Sequence, residues 1–262
     1  MKGKYLEIET ERLILKPFSS LLDNQGQKEE LIKSWDNPFN ARYNAEPDSR
    51  KSVEDLIARD EPSFTIIGES LESYYDTMFF RVAYDKVTGE LIGSCRFGKY
   101  PECDTMDTWD FGFNVLIRHW SKGYGTEMVK KIIEIAKFED AKHIRGGADN
   151  DNFASYHAMA MNGFKRCEEY DDSGDFEYVL DLNAPKRTKE ECEQEWRDHI
   201  QAYINRPDEE DKKFGKKKYL RLMKINKKIK KMVKGIQKGK DEDRLIKKYF
   251  EKCNRIEPFP MN

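Results

Sequence analysis

Asp110-Phe-Gly-Phe-Asn-Val-Leu-Ile-Arg-His-Trp-Ser-Lys-Gly-Tyr-Gly-Thr-Glu127 is the stretch on which the reading of the fold turns. Trp109 to Ile117 is rich in aromatic and β-branched residues and predicts a strand. Two glycines one residue apart, Gly123 and Gly125, follow it. Tyr124 to Phe138 then carries Met128, Ile132, Ile135 and Ala136 at helical spacing. The order is strand, short loop, helix. Glycines let the backbone come close to a ligand. A helix start presents unpaired N–H groups and the positive end of a dipole. Such a loop suits a pyrophosphate, with Lys122 as an extra cation. It lacks the Gly-Lys-Ser/Thr of a nucleotide P-loop and the third glycine of a dinucleotide fingerprint. Taken alone, it also fits an ordinary tight turn.

On the N-terminal side, Glu9 to Phe18 alternates apolar and polar residues up to Pro17, as a first strand does. Residues 20–60 read as polar helices broken at Pro38 and Pro47, the last starting at Ser49 with Val53, Leu56 and Ile57 inward. Met78 to Tyr84 and Glu90 to Gly98 form a hairpin about the turn Asp85-Lys-Val-Thr-Gly89. On the C-terminal side, His143 to Ala148 is a short strand. Asn152 caps a helix that runs to Asn162, and Gly163 suits its left-handed end. Phe164 to Glu169 and Phe176 to Leu182 pair across a turn ending at Gly174. The expected fold class is α/β, an α+β mixed sheet with helices on its faces, over residues 5–184.

Residues 185–262 depart from that pattern and predict a charged, Lys-rich helical C-terminal extension. Thr188 to Glu191 has capping-box form. Cys192, Trp196, His199, Ile200 and Tyr203 then make one helical stripe. A second helix over about 216–234 carries Tyr219, Leu222, Met223, Ile229, Met232 and Val233 on one face, and a third begins near Asp241. Between Lys212 and Lys240 there are 14 Lys and Arg and no acidic residue. A basic amphipathic helix of this kind packs by its apolar face and keeps its charges in solvent, contacts RNA or the ribosome, or lies on an anionic membrane.

The formal net charge of −2 hides an asymmetry. Residues 1–184 hold 23 Lys and Arg against 35 Asp and Glu, a net of −12; residues 185–262 hold 24 against 14, a net of +10. An acidic body favours cationic partners such as amines, and a basic tail favours phosphates or acidic surfaces. Five cysteines without a C-x-x-C pair, and four histidines without ligand spacing, argue against a disulfide framework or a metal site. No apolar run approaches a membrane span, and the first ten residues lack a signal-peptide core. A cytoplasmic location is the default expectation.

Asn152-Phe-Ala-Ser155, leading to Met159-Ala-Met-Asn-Gly-Phe164, brings the chain into register with a known family. It resembles the GNAT superfamily of acetyltransferases, and within it the branch of ribosomal-protein N-terminal acetyltransferases. That branch has an N-terminal T-E-R-L-x-L-R-P strand, here Thr10-Glu-Arg-Leu-Ile-Leu-Lys-Pro17. A strand ending in G-F precedes W-G-K-G-Y-A-T-E, here Gly112-Phe113 and Trp120-Ser-Lys-Gly-Tyr-Gly-Thr-Glu127. An N-x-x-S motif is followed by G-F, here Asn152, Ser155, Gly163 and Phe164. The resemblance spans residues from about 5 to 184.

The resemblance implies an acetyl-CoA-dependent N-acetyltransferase, with acetyl-CoA as co-substrate and an amine acceptor attacking directly in a ternary complex. The acceptor would be a protein N-terminus or a small amine such as a polyamine, aminoglycoside or amino acid. A non-catalytic module that binds CoA or docks on RNA is the alternative of another class. By the same resemblance, Lys122, Gly123, Tyr124, Gly125 and Thr126 bind the pyrophosphate through their backbone. Asn114, Val115 and Ile117 lie along the splayed strand that meets the pantetheine, with Val115 foremost, while Asn152 and Ser155 line the thiol end. Two positions depart from the wider superfamily: Trp120 replaces the usual Gln or Arg, and Met159 replaces the Tyr that protonates the leaving thiolate.

Ser155 is therefore the candidate proton donor, unless its hydroxyl serves only the helix start. Asp110 is the candidate base, unless it faces solvent. Glu127 reads as a complement to the helix dipole, and Tyr156 and His157 as packing or surface residues.

Overall fold

A computed structural model describes residues 7–43, 48–58, 78–99, 107–170, 176–205 and 214–256. The turns expected at Pro47 and Gly174 lie outside the described residues. Eight strands form one mixed sheet in the order β1-β2-β3-β4-β5-β6-β8-β7. They are β1 (Ile8–Glu9), β2 (Leu13–Pro17), β3 (Met78–Asp85), β4 (Leu91–Lys99), β5 (Thr108–Val115), β6 (His143–Gly147), β7 (Lys165–Tyr170) and β8 (Phe176–Asp181). Every neighbouring pair is antiparallel except β5 and β6.

Helices cover both faces, because each face of the sheet carries apolar side chains. On one side a 3-10 turn (Phe18–Asp23) packs with α1 (Gln25–Trp35) and α3 (Ser49–Ala58); Phe18, Leu21, Leu31 and Val53 meet Val82 and Leu91 there. Pro38 opens the short α2 (Pro38–Ala41) instead of ending a helix, with the Asn37 side chain accepting from the Phe39 N–H. On the other side, α4 (Tyr124–Phe138) and α5 (Phe153–Met161) lie over Phe97, Trp109, Phe111 and Ile144. Met128, Val129, Ile132, Ile135 and Ala136 of α4 are buried, as the helical spacing requires.

The C-terminal extension is three helices: α6 (Lys189–Asn205), α7 (Phe214–Ile236) and α8 (Glu242–Asn254). The capping box forms as read, with Thr188 N–H donating to Glu191 at 2.6 Å and Glu191 N–H donating to the Thr188 hydroxyl at 3.2 Å. The extension packs on the sheet domain and shares its core. Tyr203, Leu222, Ile225, Met232, Val233, Ile236 and Cys253 belong to the same apolar cluster as Trp109 and Met128. Ile225 and Ile236 are buried although the apolar face read from the sequence omitted them.

An aromatic knot joins α6 to α5. The His199 ring is fully buried, 4.2 Å from Tyr156 and 5.1 Å from Phe176, and it stacks on Trp196 at 5.5 Å. Among the described residues neither ring nitrogen has a hydrogen-bond partner. Burial, with Arg166 adding to it, pushes the imidazole pKa down to about 3. Elsewhere, Phe250 of α8 meets Phe39 of α2, and Lys33 of α1 pairs with Asp243 at 2.6 Å. Among the described residues no helix is long and apolar enough to cross a membrane.

Candidate active site

The parallel strands β5 and β6 pair at Thr108↔His143, Trp109↔Ile144 and Asp110↔Arg145, and no further. Beyond Asp110, β5 continues to Val115 along β4 while β6 turns away, so a wedge opens between them. The period of two along β5 sends Asp110, Gly112 and Asn114 to one face and Phe111, Phe113 and Val115 to the other. Phe113 lies against the start of α4; a Cβ at Gly125 would stand 2.7 Å from its ring. Only glycine lets the helix start come that close to the strand. Asn114 Oδ1 is buried at the wedge and accepts no hydrogen bond. A buried acceptor without a donor is costly.

The strand ends at Val115, two residues earlier than the sequence suggested. Leu116 N–H bonds the Ile92 carbonyl, and Ile117 enters a 3-10 turn (Ile117–His119) with its side chain 2% exposed. Ile117 thus sits in the core and is not on the open strand edge. The turn is anchored by Trp120, whose indole N–H donates to the Val115 carbonyl at 2.6 Å. That bond supplies a physical reason for tryptophan at the position where the superfamily has Gln or Arg.

From Trp120 the chain enters the loop. Ser121 and Gly123 both have positive φ, 61° and 82°. The left-handed conformation is ordinary for glycine and uncommon for serine, and no local residue pattern marks it at Ser121. Gly123 stands at the N-cap of α4, and no side chain caps that end. Among the described residues, no hydrogen bond engages the N–H groups of Gly123, Tyr124, Gly125 or Thr126. Four unpaired amides at a helix N-terminus fit an anion. Glu127 does more than complement the helix dipole. It accepts from the Thr10 hydroxyl (2.5 Å), the Arg12 N–H (2.7 Å) and Arg12 Nε (2.6 Å), tying β2 to α4. Arg12 also donates to the Lys122 carbonyl at 2.9 Å, which holds the loop from outside.

Across the wedge, Asn152 caps α5 by accepting from the Ser155 N–H at 3.3 Å. Ser155 is half-buried and His157 is exposed. Tyr156 is in the core, its hydroxyl donating to the carbonyls of Ala148 and Phe176. Met159 is buried against β6, with its sulfur 3.2 Å from where a Gly146 Cβ would be. A thioether there has no proton to give. Arg42, at the end of α2, pairs with Asp151 beside this turn.

Asp110 marks the vertex where the strands part. Burial pushes its carboxyl pKa up, against the attraction of Arg96, the Phe111 N–H and Arg145. It pairs with Arg96 at 3.1 Å, so it does not face solvent. The sequence did not point to Arg96 as its partner, because the contact crosses two strands.

The acetyltransferase (GNAT) domain family matches residues 12–165. The chain belongs to the GNAT acetyltransferase family. An acetyltransferase of that family from Bacillus anthracis is 18% identical, with 68% of this chain and 99% of that chain covered and a TM-score of 0.50. The GNAT domain of S. lividans PAT is 15% identical over 69% and 99%, with a TM-score of 0.50. A Vibrio cholerae protein provisionally assigned as a ribosomal-protein-serine acetyltransferase is 14% identical over 69% and 99%, with a TM-score of 0.50. Identities this low establish a shared fold. No curated protein matches the chain in sequence. The chain is thus a GNAT N-acetyltransferase that uses acetyl-CoA. Its mixed α/β fold carries three further helices beyond the matched segment.

Proposed function

We propose that this acetyltransferase acetylates a protein N-terminus, by direct attack of the free amine on acetyl-CoA in a ternary complex. The observation that carries the reading is the wedge. β5 and β6 part after Asp110↔Arg145, and the open edge of β5 leads to the uncapped start of α4. The residues fit the co-substrate. The amides of residues 122–126 would take the pyrophosphate, the β5 edge at Asn114 and Val115 would meet the pantetheine, and Asn152 and Ser155 would line the thiol end. The N-terminal acceptor rests on the Thr10–Pro17, Trp120–Glu127 and Asn152–Phe164 motifs and on the name of the Vibrio cholerae relative.

The chemistry follows from ordinary pKa values. An N-terminal α-amine, of pKa near ~8, attacks only after losing its proton. Asp110 would take that proton; its raised pKa brings it closer to a working base. The amine's C–N bond forms as the thioester C–S bond breaks. The departing thiolate, of thiol pKa near ~8.5, would take a proton through the Ser155 hydroxyl as that hydroxyl regains one from water, since Met159 has none.

Incubation with acetyl-CoA and a panel of acceptors tests the reading: Ser- and Ala-initiated peptides, spermidine, kanamycin and free amino acids. One acetyl group on the peptide α-amine supports it. Acetylation of a small amine alone overturns it. Met159 favours a second reading, a module that binds CoA without turnover. Tight CoA binding with no acetylated product from any acceptor would establish that one.

A further inference from the structure

The sequence of α7 holds ten Lys and Arg and no acidic residue. Its buried stripe, Leu222, Ile225, Met232, Val233 and Ile236, faces the protein. α8 takes one flank, where a Cβ on Gly235 would stand 2.8 Å from Leu245. On the other flank Lys227, Lys230, Lys231 and Lys234 follow a shallow, solvent-facing cleft along α7 itself, together with Met223 and Asn226. Among the described residues none of these four lysines is paired with a carboxylate, although residues 1–184 carry a net charge of −12.

The row is anchored to both walls of the candidate site. At its N-terminal end Tyr219 packs 6.1 Å from Phe153, the residue after the Asn152 cap. Just past its C-terminal end, Gln237 donates to the carbonyls of Arg118 at 3.2 Å and Trp120 at 3.3 Å, immediately before the phosphate loop. α7 therefore runs from the α5 wall of the wedge to the α4 wall.

We propose that this lysine row recognises the acceptor, and that the acceptor is a polypeptide with acidic residues close behind its N-terminus. The proposal rests on the N-terminal acceptor described above. A chain whose amine enters the β5–β6 wedge keeps its next residues near α7, because α7 is fixed to both walls. With a rise of about 1.5 Å per residue, the lysines stand roughly 4.5–6 Å apart, a spacing that an extended acidic segment matches. A bilayer is a poor occupant, since the apolar face is already buried. A nucleic acid is a poorer fit than an acidic peptide, because the cleft offers neither an aromatic ring for stacking nor an arginine fork.

The test uses the full chain and two decapeptides with the same first residue, one carrying four Asp or Glu and the other four Lys. The expected kcat/KM is about tenfold higher for the acidic peptide at low salt, and the gap closes as salt rises. Lys227→Glu/Lys231→Glu/Lys234→Glu should reverse the preference with CoA affinity unchanged, and the corresponding Gln variant should abolish it. Equal kcat/KM for both peptides overturns the proposal. So does a preference that survives the charge reversal, a loss of CoA affinity in the triple variant, or displacement of the acidic peptide by an RNA hairpin that binds more tightly. Fluorescence anisotropy of the acidic peptide keeps the two readings apart. Charge-dependent binding without acetylation fails the N-terminal reading and leaves the recognition surface standing.

Discussion

The two helices that flank the wedge begin in opposite ways. α4 starts at Gly123, has no side-chain cap and leaves four amides unpaired. α5 starts at Asn152, whose side chain takes the Ser155 N–H, and its first residue Phe153 is covered by Trp196, Tyr203 and Tyr219. One helix end is open and the other is closed by its own chain. The difference teaches where an anion belongs. Phosphate needs free amides, and the α4 start offers four in a row, whereas the α5 start has its Ser155 N–H taken by its own cap.

The sharpest way to break this comparison is at Gly123. Its φ of 82° is unfavourable for a β-branched side chain. Gly123→Val is expected to weaken CoA binding about 100-fold by calorimetry while α5 is undisturbed. Unchanged affinity would mean the open helix end is not the phosphate site.

The closed end depends on a neutral imidazole. Burial holds the His199 pKa down to about 3, against 6.5 when it is free. The unfolded chain therefore binds the extra proton. The stability that His199 contributes is complete above pH 6.5 and is lost as pH falls toward 3. By pH 5 the loss amounts to about 2 kcal/mol. Melting curves at pH 7.5 and 5 should show it, and His199→Leu should flatten the part that belongs to this residue. An equally steep fall in His199→Leu would place the acid sensitivity elsewhere.

Removing the cap of α5 has a smaller expected effect. Asn152→Ala removes the side-chain acceptor of the Ser155 N–H and leaves it the residue-152 carbonyl alone; it should cost about 1 kcal/mol in denaturant unfolding. CoA affinity should change less than it does in Gly123→Val. The smallest expected change is at Ser155. Ser155→Ala should lower kcat severalfold with CoA affinity held, as a proton donor requires. A loss of affinity without a loss of kcat would make it part of the cap alone.

How well each part could be read depended on how local its physics is. Glycine spacing, helical periodicity and caps act over three to eight residues. They located α4, the Asn152 cap, the Thr188 capping box and the ends of most strands. The motif order also pointed to the GNAT fold before any contact was known. Asp110 was legible as a strand residue, but its pairing with Arg96 was not, since the partner is set by strand register. Glu127 looked like a dipole complement because its true partners, Thr10 and Arg12, lie more than a hundred residues away. The Ser121 backbone carries no side-chain signature at all.

By itself the sequence determined the order of elements, the glycine loop before α4, and a tail of amphipathic helices whose apolar faces had to be covered. Only the tertiary structure decided what covers them. The tail shares the core of the sheet domain, wraps a buried histidine in aromatic rings, and spans the wedge with its lysines outward. The physical reason is that an apolar stripe states how much surface must leave water, while the identity of the partner depends on shape and register between segments far apart in the chain.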